Sequence, residues 1–184
     1  MYIERTFILD VPIQRAWAFL HEPHEIGSCL PGCHSVEVVK PGKYTASVGV
    51  KFGPVKLGFD VQVETDEERP PEYAAYTMRG ADKDGSSKVS AQCTIALRAL
   101  ESRRTEVTYT SSAQIVGKLG KFAGGMMQKF ADNINDQFIA AIAKRVSEIE
   151  NNAPISTEVE KRTGRFGRLR AVLGKWWGHF RWQT

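Results

Sequence analysis

The chain has 184 residues, of which 42% are apolar and 25% charged, so it can form one globular domain with a substantial core and a short appendage. Its net charge of +4 is unevenly spread: residues 151–184 carry seven basic and two acidic residues, whereas residues 1–150 carry 18 basic and 19 acidic residues. This balance argues against a nucleic-acid-binding body and marks a domain boundary near Asn151.

The sequence also indicates the cellular compartment. The opening residues, MYIERTFILDVP, lack the basic start and long apolar run of a secretory signal peptide. No apolar stretch approaches the roughly 18 residues that a membrane-spanning helix needs. Three cysteines without a secretory signal are typical of a reducing compartment, so we expect a cytoplasmic protein with free thiols.

The first elements are short. Residues 2–9 alternate as a strand does. Asp10 is then expected to cap a helix that runs to about Leu20, with Pro12 near its first position. Pro23 opens a second helical segment, which the pair at 31–32, Pro-Gly, ends.

Long strands follow. Five segments alternate apolar and polar residues, which is typical of antiparallel strands with one face on a core and one in water. The pair Gly53-Pro54 between the first two predicts a hairpin turn. The segments are residues 44–52, 54–66, 72–80, 87–100 and 105–115.

Residues 118–149 predict one long helix, because apolar residues recur there at helical spacing and only Gly124-Gly125 interrupt its propensity. The fold class is therefore α+β: about seven antiparallel strands in a curved sheet, two short helices, and a long helix across the apolar face. A helix across a bent sheet usually leaves a cavity, although its large residues are equally consistent with a plain core. The candidate lining residues on the strands and the helix are Phe52, Phe59, Tyr76, Phe122, Met126, Met127, Phe130 and Ile134.

Two details of the long helix bear on that cavity. Its Met and Phe residues form a soft lining for a flexible apolar ligand. The glycine pair in its first turns could loosen the helix and act as a gate. Gln137, at the edge of the same face, is expected to reach solvent rather than the ligand.

The C-terminal segment predicts a linker over residues 151–163 and a basic amphipathic helix over residues 164–182. Such a helix with aromatic anchors is typical of one that lies on an anionic membrane surface. A separate stripe of small residues at 167, 171, 174 and 178 either packs against another helix or only adds flexibility. The candidate membrane-binding residues are Phe166, Leu169, Leu173, Trp176, Trp177 and Phe180 together with Arg168, Arg170 and Lys175.

Several motifs resemble one family in order and spacing over roughly residues 2–145. They are CLPGC at 29–33, VGVKFGPVKLGF at 48–59, the PP…Y…RG run at 70–80, TEVTYTSSAQIVGKLGKF at 105–122, and ADNINDQF at the end of the long helix. Together they resemble the CoxG family of carbon monoxide dehydrogenase, in the START-like (SRPBCC) helix-grip superfamily. Two departures are a hairpin, ADKDGSSK, that keeps only Gly85 of a glycine-rich loop, and Phe138 followed by Ile139 where two aromatics are usual.

The resemblance implies a non-enzymatic accessory protein of aerobic carbon monoxide dehydrogenase, a molybdenum hydroxylase. It implies a cavity that holds an apolar ligand, either a quinone (menaquinone or ubiquinone) or a lipid, and a C-terminal extension that reaches the inner face of the cell membrane. Such a protein would pass electrons from the enzyme to the membrane quinone pool. It also implies that Leu30 and Pro31 shape a tight loop at the cavity mouth.

The stretch HEPHEIGSCLPGCHS, residues 21–35, is dense enough in His and Cys to suggest zinc. A Pro-Gly turn links Cys29 to Cys33, and no second Cys/His pair follows, so any site would be entirely local. We therefore predict no metal, and the resemblance implies that the two cysteines are small apolar residues beside the mouth loop.

Two functions remain open at this level. The first is a carrier of an apolar ligand, tethered to the membrane by its tail. The second is a recruiter that anchors the dehydrogenase at the membrane and has an incidental cavity. No nucleophile elbow and no phosphate-binding loop is evident, so we predict no catalytic residue. Nucleic-acid binding through the basic tail is a third, weaker alternative, but the net charge of −1 over residues 1–150 and the aromatic face of the tail argue against it, so we predict no nucleic-acid partner.

Overall fold

The computed structural model describes residues 1–52, 55–118, 120 and 125–152, without the side chains of residues 50, 52, 55, 57, 125 and 126. Within these residues the chain forms seven strands and three helices, as the sequence predicts. In chain order they are β1 (Tyr2–Leu9), α1 (Ile13–Leu20), α2 (Pro23–Cys29), β2 (Cys33–Lys40), β3 (Lys43–Phe52), β4 (Val55–Arg69), β5 (Tyr73–Asp82), β6 (Ser87–Glu101), β7 (Arg104–Gly117) and α3 (Gly125–Asn152).

All seven strands join one antiparallel sheet in the order β1-β7-β6-β5-β4-β3-β2. Strands β2 to β7 follow one another as neighbours, and β1 adds to the outer edge of β7. A register shift between Thr65 and Glu67 marks a bulge in β4, and bulges of this kind bend the strand that holds them. The predicted alternation holds: on β6, for example, Cys93 and Leu97 are buried whereas Gln92 is exposed.

The start of α1 corrects one prediction. Asp10 does not cap the helix, because Pro12 occupies the cap position and its carbonyl accepts from Arg15 and Ala16 at 2.9 and 3.0 Å. Asp10 instead lies with its carboxylate 3.5 Å from the guanidinium of Arg104 at the start of β7.

The second short helix and the loop after it follow the sequence closely. Pro23 is the first residue of α2, a position whose backbone N–H has no partner within the helix, so the missing N–H of proline costs no hydrogen bond. The side chain of Glu22 accepts a hydrogen bond from the backbone N–H of His24 at 3.4 Å. The loop then turns through Gly32, which has φ +81°, and the carbonyl of Gly32 accepts from the backbone N–H of Gly49 at 2.7 Å. The mouth loop is therefore bound to β3.

The start of the long helix is the second correction. We predicted a helix from residue 118, but β7 runs to Gly117 and the backbone of Lys118 still donates to the carbonyl of Ser86 at 3.0 Å. This hydrogen bond extends the β6–β7 hairpin to Lys118, and α3 spans Gly125–Asn152 within the described residues. The proposed gate at Gly124-Gly125 lies partly outside the described residues and stays a prediction, as does the Gly53-Pro54 turn.

The main core forms where α1, α2 and the C-terminal half of α3 meet the ends of β1, β6 and β7. Ion pairs tie α3 to the other elements around this core: Arg145 contacts Glu25 at 3.0 Å, and Glu150 contacts Arg15 at 3.0 Å. Its buried residues are Leu9, Val11, Ala16, Phe19, Leu20, Cys29, Leu97, Val107, Ile142 and Val146.

Gly32→Ala is expected to destabilise the protein far more than Gly85→Ala. Both glycines have positive φ, which costs a non-glycine residue about 1–3 kcal/mol. A Cβ at Gly32 would also overlap the backbone oxygen of Gly49, whereas a Cβ at Gly85 meets nothing within 4 Å. Urea unfolding of the two variants measures the difference. Equal losses of unfolding free energy would show that the mouth loop is not held against β3.

Candidate ligand-binding cavity

A cavity of about 670 Å³ lies between the sheet and the N-terminal half of α3. Strand side chains form one wall, helix side chains form the opposite wall, and the α2–β2 loop closes one end. The volume falls in the range of about 300–1,000 Å³ that is typical of small-molecule sites. Apolar side chains dominate the lining, among them Phe59, Val61, Met78, Val89, Ala91, Ile115, Phe138 and Ile139.

The structure brings most of the predicted cavity residues together. Leu30 and Pro31 from the mouth loop and Phe59 and Tyr76 from the sheet line the cavity. Of the other predicted residues, Phe122 lies outside the described residues and the side chains of Phe52 and Met126 are not described. Gln137 is exposed and its amide donates to Asn133, so the prediction that it reaches solvent is confirmed. The predicted α3 residues that line the cavity are Met127, Phe130 and Ile134.

The histidines and cysteines of residues 21–35 have separate surroundings. Cys29 is buried in the main core, and Cys33 donates weakly to the carbonyl of Ser35 with its sulfur 3.7 Å away. Burial raises the pKa of both thiols, which disfavours the thiolate that zinc requires. Among the described residues no three His, Cys, Asp or Glu side chains are arranged to hold a metal ion.

The sequence analysis missed a polar patch on the sheet wall. Cys93 donates to the hydroxyl of Ser111 at 3.4 Å and lies 3.8 Å from the hydroxyl of Tyr109. All three residues line the cavity, and burial raises the pKa of Cys93 and of Tyr109, so both stay protonated at neutral pH. The alternation places them inward, but it does not distinguish them from the apolar residues on the same face.

A second, smaller pocket of about 80 Å³ adjoins the cavity near the α1–α2 junction. His21, Glu68, Lys40 and Thr65 contribute polar groups to it. The pocket and the cavity share several lining residues, so the two spaces lie on either side of the same side chains. The shared residues are Leu20, Pro23, Ile26, Tyr44 and Tyr76.

The ring of His21 is held by a stacking contact and a hydrogen bond, both to Trp17. Its ring stacks on Trp17 with 3.5 Å between ring centroids, and its Nδ1 lies 2.9 Å from the carbonyl oxygen of Trp17. Its Nε2 is buried without a hydrogen-bond partner among the residues that the structure describes. Burial lowers the pKa of His21, and the nearby carboxylate of Glu68 only partly offsets this effect.

The predicted domain boundary near Asn151 lies at the end of α3, which runs to Asn152, so the first two residues of the predicted linker are helical. The rest of the linker and the basic tail helix lie outside the described residues, as do all nine candidate membrane-binding residues. In the part of the chain that is described, no helix has both the length and the apolar character of a membrane span.

A comparison with known families identifies the family of this chain. The family model for CoxG of carbon monoxide dehydrogenase matches residues 6–147, which is more than two thirds of the chain and includes almost all of the described elements. A comparison with curated proteins finds no match.

Solved structures with the same fold come from several bacteria. A conserved protein from Geobacillus kaustophilus is 25% identical, with a TM-score of 0.74 over 80% of this chain and 96% of that chain. A START superfamily protein from Mycobacterium smegmatis is 10% identical, with a TM-score of 0.64 over 80% and 98% of the two chains. The ZhuI aromatase/cyclase from Streptomyces sp. R1128 is 15% identical, with a TM-score of 0.63 over 83% and 97%. These likenesses show a START-like helix-grip fold.

Acidification is expected to destabilise the protein partly through His21. Because the folded pKa of His21 is lowered, the unfolded chain binds a proton near pH 6.5 that the folded protein binds only at lower pH. The free energy of unfolding should therefore fall as the pH drops through that range. Urea unfolding from about pH 7.5 to about pH 5.5 should show a smaller fall for His21→Phe, which keeps a ring on Trp17.

The other histidines are present in both proteins, so their contribution cancels in this comparison. Equal pH dependence of the two proteins would contradict the lowered pKa of His21.

Proposed function

Because the chain belongs to the CoxG family of carbon monoxide dehydrogenase, we propose that it is a non-catalytic accessory protein of the aerobic enzyme. In this role it binds an apolar ligand, a quinone or a lipid, in the cavity between the sheet and α3. It carries the ligand between the enzyme and the inner face of the cell membrane. With a quinone as ligand, this exchange links the enzyme to the membrane quinone pool.

The size of the cavity is the observation that carries this proposal. A space of about 670 Å³ is large enough for a small molecule, and apolar side chains form most of its wall. Water is a poor filler for such a space, since an ordered water needs two to four polar partners and most of the wall is apolar. An apolar ligand satisfies both constraints.

The tail supports the membrane part of the proposal through its sequence. It carries seven basic residues, each of which contributes about 1 kcal/mol near an anionic surface, together with tryptophans that favour the interface. The competing function, a recruiter of the dehydrogenase with an incidental cavity, uses the same tail. The two therefore differ in whether the cavity holds a ligand.

Solvent extraction and native mass spectrometry of the purified protein are expected to recover a prenylated quinone or a lipid. Ala91→Phe should lower this recovery severalfold, because Ala91 lines the cavity and the larger side chain occupies ligand space. Gln92→Phe is the matched control, since the neighbouring Gln92 is exposed on the other face of β6. An empty protein, or equal recovery from both variants, favours the recruiter instead.

Removal of residues 161–184 is expected to abolish binding to anionic phospholipid vesicles, because it removes every basic residue of the tail and all three of its tryptophans. Vesicle co-sedimentation measures binding, and circular dichroism checks that the body stays folded. Vesicles of neutral phospholipid are the control for the electrostatic part. Undiminished binding of the truncated protein would disprove the tether.

A further inference from the structure

The lining residues show where the cavity meets solvent. Nearly all of the described ones are buried or half-buried, and the exposed ones are Met1, Gly32 and Lys51. All three lie at the end of the sheet where β3, β5 and β7 finish and where β1, β2, β4 and β6 begin. We call this the open end of the sheet. The opposite end, where β1, β2, β4 and β6 finish, is the core end.

Five exposed lysines surround the open end. Lys51 and Lys56 belong to the last turn-side residues of β3 and β4, Lys83 and Lys88 flank the β5–β6 turn, and Lys118 follows β7. None of the five forms an ion pair within the described residues. Their charges are therefore available to a partner.

The core end differs in this respect. Arginines there pair with carboxylates of the same chain: Arg145 contacts Glu25 at 3.0 Å, and Arg98 contacts Glu106 at 2.9 Å. The charges of the core end thus serve contacts within the protein, whereas those of the open end do not.

The lysines of the open end lie close enough to repel one another. Lys51 and Lys56 are direct cross-strand partners in the register of β3 and β4, and like charges in such positions are destabilising. Lys83 reaches the same surface, because a Cβ at Gly58, two residues after Lys56 on β4, would lie 3.7 Å from Cε of Lys83. An anion bound at this surface would relieve the repulsion.

The aspartates of the open end do not cancel this charge. Asp82 is buried, and its carboxylate accepts from the hydroxyl of Ser86 at 2.6 Å and from the backbone N–H of Ser87 at 3.1 Å, so it closes its own turn. Asp60 and Asp84 are exposed, and neither pairs with a lysine within the described residues. The five lysines outnumber these three aspartates, so the surface is positive.

We propose that the open end is a docking surface for an anionic phospholipid membrane, with Lys51, Lys56 and Lys83 at its centre. This inference rests on the proposed function, in which the ligand is exchanged at the membrane, and it specifies which face of the body meets the lipid. The tail tethers the protein, and the lysines orient it.

The position of the cavity favours a membrane over an acidic protein surface. The cavity opens among the lysines, since Lys51 itself is both exposed and part of the lining. Lysine side chains can place their ammonium groups beside lipid phosphates while their apolar stems contact the layer below. In this orientation the ligand passes between the cavity and the bilayer without crossing bulk water.

Vesicle co-sedimentation of the full chain at low salt tests the inference. Each lysine near an anionic surface contributes about fivefold to the affinity, so Lys56→Gln/Lys83→Gln should bind anionic phospholipid vesicles about tenfold or more weakly than the wild type. The matched control is Lys40→Gln/Lys144→Gln, which removes the same charge from two exposed lysines near the core end and should leave the affinity close to that of the wild type.

Hydrogen exchange on the same vesicles measures the orientation. Backbone amides of residues 82–88, at the open end, should exchange more slowly when vesicles are present, whereas those of residues 101–104, at the core end, should not change. Lys56→Gln/Lys83→Gln should lose this protection although its tail is intact.

The outcomes separate the inference from the function beneath it. Wild-type affinity of Lys56→Gln/Lys83→Gln, or slower exchange at residues 101–104 instead, overturns the docking surface and leaves the tail tether intact, with an acidic protein surface as the partner of the lysines. Equal losses in both double variants show a general effect of net charge and also overturn it. If the full chain does not bind the vesicles at all, the membrane part of the proposed function is wrong, and the inference falls with it.

Discussion

The packing of the C-terminal half of α3 into the main core is the interaction on which the rest of the structure depends. Ile142 and Val146 are buried there among side chains of α1, β1 and β7, and ion pairs from Arg145 and Glu150 hold the same half of the helix. The helix continues without a break from Gly125 to Asn152, so the packing of its C-terminal half also positions its N-terminal half over the sheet. The cavity lies between the sheet and this N-terminal half, so the position of the helix determines where the cavity forms.

The residues that face such a cavity come from the apolar faces of the sheet and the helix. Each polar side chain on the cavity wall is therefore an exception that requires a physical explanation. The Cys93, Ser111 and Tyr109 groups satisfy one another, and they are compatible with a structural role in the sheet. Nε2 of His21 and the hydroxyls of Tyr44 and Tyr76 have no such partner in the described part of the chain, whereas Nδ1 of His21 is paired with the carbonyl oxygen of Trp17. Buried polar groups that are unsatisfied within the protein are where a ligand gains most by supplying a donor or an acceptor.

The sequence predicted the sheet, the three helices and the inward strand positions, because periods of two and of 3.6 residues are directly visible in it. It wrongly placed Lys118 in the long helix, since the bond from Lys118 to Ser86 joins residues that only the folded hairpin brings together. The same limit applied to the site. Phe59 and Tyr76 were recognised as large inward residues, but the free Nε2 of His21 depends on a stack with Trp17 and a contact with Tyr76, which strand and helix patterns do not reveal.

A cavity with a mostly apolar wall also constrains how a carrier can work. The ligand stabilises the folded protein by RT ln(1 + [L]/Kd), so the loss of the ligand removes that stabilisation and exposes apolar wall to water. Release into water is therefore unfavourable for both ligand and protein, whereas exchange at a membrane, where one apolar molecule replaces another, avoids the empty state. Exchange of this kind does not require the mouth loop to leave β3, to which the hydrogen bond from the N–H of Gly49 to the carbonyl of Gly32 holds it.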